Sequence, residues 1–174
     1  MRDSEITIHH VLVVALSGGL DETEAQDLAR GLAGLDVRVT LVLGGSEGSR
    51  LEASSGVIVR RCAHVGEDEL ASLALALSPD IVHVFDERTA LMPWRVPLVL
   101  TTDRPGGLAS QRADLLVIAA GGGPRVLRQS TGETTILNPN SEEFAWSMLC
   151  AYQELKQAAA MDIQAGDFGS AMLI

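Results

Sequence analysis

"VVALSGGLDETEAQDLARGLAG", residues 13–34, decides how this 174-residue chain reads. An apolar run from Ile6 to Leu16 breaks at Ser17-Gly18-Gly19, and a helical pattern follows. The run is β-branched and almost uncharged at its end, as expected of a strand buried on both faces of a parallel sheet. Asp21 stands as N-cap with Glu24 three residues on, the spacing of a capping box. Ala25, Leu28, Ala29, Leu32 and Ala33 then recur at helical spacing up to a stop at Gly34. Strand, glycine turn and helix present backbone N–H groups to an anion or to a closely approaching ligand. Ser17, Gly18 and Gly19 are therefore candidate binding residues, although a plain connection needs the same glycines.

The pattern repeats downstream. Strands are predicted at Val37–Leu43, Val57–Arg61, Ile81–Phe85, Leu98–Thr102, Asp114–Ala120 and Thr134–Leu137. Helices are predicted at Glu67–Leu77, briefly after Glu87, at Pro124–Gln129, and from Ser141 to about Ala160, with Ser46–Ser55 a polar loop. Alternation of this kind predicts an α/β fold: a single doubly wound domain, residues 1–160, with a mostly parallel sheet of about six or seven strands. Residues 161–174 read as a C-terminal tail. Ligands in such folds gather at the carboxyl ends of the strands. Those ends carry Ser17-Gly18-Gly19, Asp86, Asp103 and Gly121-Gly122-Gly123. Asp86 and Asp103 could orient hydroxyls or act as bases; equally, Asp86 caps a helix and Asp103 a turn before Pro105.

Composition narrows the function classes. The net charge is −10 and no basic run exceeds Arg60-Arg61, which argues against nucleic acid as partner. The polar N-terminus is no signal peptide, and no apolar run reaches the length of a membrane span. A cytoplasmic protein is expected. Cys62 and Cys150 stand apart from any metal-type spacing, His64 beside Cys62 makes too few ligands for zinc, and His9-His10 lacks a partner. His83, inside an apolar strand, reads as a core histidine facing the same way as Ile81 and Phe85.

Two resemblances follow. "SGGLD" (17–21) resembles the SGGxDS loop of the PP-loop ATP pyrophosphatases, but Glu22 replaces the phosphate-binding serine and would repel pyrophosphate. Four longer segments, "PDIVHVFDERTAL" (79–91), "VPLVLTTDRPG" (96–106), "ADLLVIAAGGGPRVLRQ" (113–129) and "TTILNPNSEEF" (134–144), come in order. Together they resemble the N-terminal, acceptor-side Rossmann-like domain of GT-B glycosyltransferases of the family-four type. The resemblance implies a transferase fold that binds a sugar or glycosylated acceptor through Ser17, Gly18, Gly19, Asp86, Gly121 and Gly122. Asp103 stands where that family has a histidine near the reacting sugars, and Phe85 replaces a second histidine. No donor-domain motif occurs in these residues. The nucleotide-sugar is therefore expected on a separate donor-domain partner, with no cofactor held by this chain, unless the domain is catalytically inactive and only binds; a homodimer is the other partner expected. The alternatives are an ATP-binding PP-loop protein and a non-enzymatic interaction module on a degenerate Rossmann-like domain.

Overall fold

The computed structural model describes residues 7–45, 50–54, 56–120, 123–128, 134–136 and 141–170. Among them, nine strands form one sheet: β1 (His10–Ala15), β2 (Arg38–Gly44), β3 (Arg50–Ser54), β4 (Val57–Cys62), β5 (Ile81–Val84), β6 (Leu98–Thr102), β7 (Leu115–Ala120), β8 (Gly123–Arg128) and β9 (Thr134–Ile136). The helices are α1 (Leu20–Gly34), α2 (Glu67–Leu77), α3 (Glu87–Ala90), α4 (Gly107–Arg112) and α5 (Ser141–Ser170).

The strand order is β3-β4-β2-β1-β5-β6-β7-β8-β9. The six strands from β4 to β7 are mutually parallel, and β3, β8 and β9 add antiparallel edges. The chain builds outward from β1 through β2 to β4. Helix α2 then carries it back to β5 on the other side of β1. The order reverses between β1 and β5, and this is where an open α/β sheet leaves a crevice at its carboxyl edge.

Strand periodicity sorts the core into two layers. Val11, Val13, Ala15, Ile81 and Phe85 face α1 and α5, meeting Leu28, Leu32, Met148 and Tyr152. Leu12, Val14, Val82 and Val84 face the other way, onto Leu70 of α2, Ala90 of α3 and Ala109 of α4. Every residue of β1 is buried, which explains its unbroken apolar run. No described helix is long and apolar enough to cross a membrane.

Several expectations are corrected. Residues 124–128 form a strand, not a helix, because β8 pairs antiparallel with β7 over Gly123–Arg128. Pro124 is tolerated near the start of β8, beyond the Arg125–Leu127 stretch that β9 covers. Part of the supposed polar loop, Arg50–Ser54, is the edge strand β3, turned back onto β4 through Gly56 at φ +81°. The sheet thus has more strands than the alternating pattern predicts, since its antiparallel edges lack buried runs. Helix α4 follows Gly106-Gly107 without a sequence signal beyond its small residues. Gly19, not Asp21, is the N-cap of α1, and no side chain caps it. Helix α5 continues to Ser170, past the end of its apolar pattern.

Candidate functional site

The carboxyl end of β1 delivers Leu16, Ser17, Gly18 and Gly19 to the reversal point, and β5 delivers Phe85 and Asp86. Gly18 and Gly19 take φ of +71° and +70°, which L side chains rarely adopt. A Cβ built on either meets nothing within 4 Å, so the turn needs glycine for its backbone while the space above stays open. Close approach occurs one strand over instead: a Cβ on Gly44 would stand 2.2 Å from the Leu16 carbonyl oxygen. The end of β2 therefore presses against the turn and fixes its position. Ser17 Oγ donates to Asp21 Oδ2 at 2.8 Å, so both side chains brace the turn.

Asp86 is the N-cap of α3, its Oδ1 accepting the Thr89 N–H at 2.8 Å. Its Oδ2 is buried and has no hydrogen-bond partner. A buried carboxylate oxygen without a donor is costly. Asp86 lines a cavity of about 220 Å³ with Leu16, Ser17, Glu67, Arg88 and Met92. Of the residues singled out in the sequence, the cavity therefore brings together Ser17 and Asp86. Glu67, Arg88 and Thr89 also line it and carried no sequence signal, since they are ordinary residues of two helix starts.

The charges around the turn are arranged against anions. The first turn of α1 holds Asp21 and Glu22, and that of α2 holds Glu67, Asp68 and Glu69. Burial, with the Asp21 charge, pushes the Glu24 carboxyl above its ordinary range. Arg61 at the end of β4 reaches Glu22 Oε1 at 2.8 Å, and Gln26 Nε2 donates to the same oxygen at 3.0 Å. Arg61 comes from a strand distant in sequence, and its charge is already committed to Glu22.

Asp103 follows β6 and is exposed, with the Arg104 guanidinium at 3.9 Å. It stands outside the lining of the Asp86 cavity. Gly121 and Gly122 lie outside the described residues. His83 is fully buried, as its strand position predicts: it bonds Tyr152 Oη at 2.5 Å and Thr101 Oγ1 at 2.7 Å and stacks on Phe85. Burial lowers its pKa to about 3, so the ring is neutral. His10 bonds Thr40 Oγ1 and the Leu77 carbonyl. Among the described residues no group of three His, Cys, Asp or Glu side chains converges on a metal-sized point.

No family model and no curated protein matches the chain. Solved structures do. A sucrose-phosphate synthase from Thermosynechococcus elongatus superposes with TM-score 0.56 at 11% identity, covering 84% of this chain and 99% of that one. A DNA/pantothenate metabolism flavoprotein from Streptococcus pneumoniae superposes with TM-score 0.54 at 10% identity, covering 86% and 99%. At such identities the likeness establishes a Rossmann-like α/β fold.

Proposed function

We propose that the chain is the acceptor-binding half of a glycosyl-transfer system, holding a sugar or glycosylated acceptor at the carboxyl edge. The observation that carries this reading is the cavity at the β1–β5 reversal, lined by Ser17 and Asp86 beside a glycine turn with open space above it. A ligand hydroxyl would donate to the Asp86 carboxylate where it lines the cavity. The four ordered sequence segments and the likeness to a sucrose-phosphate synthase support the sugar class.

In this reading Ser17, Gly18, Gly19 and Asp86 position the acceptor. A donor-domain partner brings a nucleotide-sugar over the edge and excludes water. The acceptor oxygen attacks the anomeric carbon. The bond from that carbon to the nucleotide's phosphate oxygen breaks, its electron pair leaving with the nucleotide. Asp103, exposed until the partner closes, takes the acceptor's hydroxyl proton. Adenylation of a substrate by bound ATP is the weaker reading, because Asp21 and the first-turn acids of α2 repel a triphosphate and Arg61 is engaged by Glu22.

The test is saturation-transfer NMR with a panel of neutral mono- and disaccharides on the wild type and on Asp86→Asn. Binding by at least one sugar, weakened roughly tenfold by the substitution, supports the reading; tenfold corresponds to about 1.4 kcal/mol, one hydrogen bond to a charged group. A panel with no binder sinks it, as does binding that Asp86→Asn leaves unchanged.

A further inference from the structure

A second, larger cavity lies on the α2 face of the sheet, toward the amino ends of β5 and β6. It encloses about 430 Å³, within the roughly 300–1,000 Å³ of small-molecule sites. Its walls come from the C-terminal half of α2 and from the segment between α3 and β6. Among the described residues, Met92 alone lines both this cavity and the smaller one at Asp86. We propose that the larger cavity binds a small, singly charged carboxylic acid, its carboxylate on Arg95 and its apolar body against Leu75 and Trp94. The proposal stands independently of the sugar-binding reading.

Three observations converge. The first is charge. The chain carries 23 Asp and Glu against 13 Lys and Arg, yet among the described residues no acid lines this cavity, and Arg95 does. Arg95 makes no ion pair and no side-chain hydrogen bond among the described residues, whereas Arg30, Arg60, Arg61 and Lys156 are each paired with an acid. A free guanidinium offers a fork of N–H donors that matches one carboxylate. The second is the apolar wall, to which Ala74, Leu75, Pro79, Pro93, Trp94 and Val96 contribute. Leu75 is 74% exposed, so an apolar ligand body would cover a side chain that the fold leaves in water. The third is preorganisation. Trp94 Nε1 donates to the Thr89 carbonyl at 2.9 Å, and the Trp94 backbone N–H donates to the Met92 carbonyl at 2.9 Å. These bonds fix the indole, and Pro79 and Pro93 stiffen the backbone on either side. A ligand therefore meets a wall that is already ordered, which lowers the entropic cost of binding. Helix α2 ends at Leu77, and Ser78 just beyond it lines the cavity, so the negative end of the helix dipole lies here. That end disfavours a dianion such as a phosphate ester and leaves one carboxylate as the better match for one arginine.

Titrating the full chain with phenylacetate and isovalerate, with their primary amides and with phenyl phosphate tests this, read from the two indole N–H resonances. At least one carboxylate should give a saturable shift of the Trp94 indole while that of Trp146, on α5, stays in place. The matching amide should bind at least roughly tenfold more weakly. Arg95→Gln, at an exposed position, should abolish this preference without loss of fold. Leu75→Glu, also at an exposed position, should weaken the carboxylates by setting a like charge beside them. An amide that binds as tightly as its acid, or a preference that survives Arg95→Gln, overturns the proposal. Phenyl phosphate binding more tightly than phenylacetate overturns the choice of a single charge. The absence of any saturable Trp94 shift with either carboxylate overturns the site itself.

Discussion

Arg61 Nη1 lies 2.8 Å from Glu22 Oε1 and joins the last turn of β4 to the first turn of α1. Its neighbour Arg60 points to the other side of the sheet, where its guanidinium stands 3.9 Å from Glu69 of α2. One dipeptide thus fastens the starts of two helices on opposite faces, neither of which has a side-chain N-cap. The Arg61–Glu22 side chains are only 33% and 25% exposed, so this pair is screened less than an ordinary surface pair. Arg61→Met should lower stability in urea by about 1 kcal/mol, and Arg60→Met by less than half of that. Equal losses would show that the shorter pair holds nothing extra.

His83 gives the fold a pH dependence whose sign is set by burial. Its folded pKa is about 3, against an ordinary value of 6.5. Between these values the unfolded chain takes up a proton that the folded chain refuses. This contribution is complete above about pH 6.5 and is lost as pH falls toward about 3, at up to about 1.4 kcal/mol per unit. His10, also lowered by burial, acts in the same direction, while Glu24, raised by burial, opposes it at more acidic pH. Urea midpoints measured from pH 7 to 4 should fall steadily, and the His83 ring resonances should not titrate in that interval. Ring resonances that titrate near the ordinary value would refute the neutral buried ring. Tyr152→Phe removes the hydroxyl bonded to His83 and should cost about 1–3 kcal/mol by leaving a buried ring nitrogen unpaired.

The parallel core was legible because burial on both faces writes itself as continuous Val, Leu and Ile. Val11 to Ala15, Ile81 to Val84 and Leu98 to Leu100 announce their strands and their order of use. The antiparallel edges were not legible. Arg50–Ser54 and Gly123–Arg128 have no comparable apolar run, and Pro124 after three glycines reads as a helix start until β7 is seen pairing with it. At the site, strand-end position puts Ser17 and Asp86 at one sheet edge, and both line one cavity. It said nothing of Arg61, Glu67 or Arg88, because charge pairing across elements depends on distances that no local pattern encodes.

Two glycines near the crevice should respond unequally to a methyl group. Gly44→Ala forces a Cβ to 2.2 Å from the Leu16 carbonyl, which backbone movement alone can relieve. A loss of about 2–4 kcal/mol and altered amide shifts at Leu16–Gly19 are expected, at or above the usual range for overpacking. Gly18→Ala meets open space and faces only its positive φ, costing about 1 kcal/mol. Thermal unfolding of the two variants checks the ranking, and a Gly18→Ala loss as large as that of Gly44→Ala contradicts it.

Asp80 gathers the start of the fold. Its Oδ2 accepts the His9 and His10 N–H groups at 2.6 and 3.0 Å, and its Oδ1 accepts from Lys156 Nζ of α5 at 2.7 Å. Lys156 also donates to the Thr7 carbonyl, so one ion pair ties α5 to the start of β1. Burial works against the Asp80 charge, yet these donors hold its pKa below the ordinary value. Its contribution is therefore present above about pH 3.8 and fades as pH falls below that. Asp80→Ala should cost about 2–3 kcal/mol at neutral pH and flatten the acid limb of the stability curve. Hydrogen exchange at His9 and His10 should accelerate in step, and unchanged protection there would mean the carboxylate does not hold these amides.

Asp86 has two oxygens with separate tasks, and substitution can part them. Oδ1 caps α3 through Thr89, whereas Oδ2 is buried without a partner. Asp86→Ala removes the cap and should cost about 1 kcal/mol. Asp86→Asn retains a carbonyl oxygen for the cap and replaces the unpartnered Oδ2 with a neutral amide, so its stability should equal or exceed that of the wild type. A residue kept at the expense of stability is the signature of a site rather than of a scaffold. The urea midpoint of Asp86→Asn decides between these: a drop as large as that of Asp86→Ala would mean that the charge itself supports the fold, and the argument for a vacant ligand acceptor at the end of β5 would fail with it.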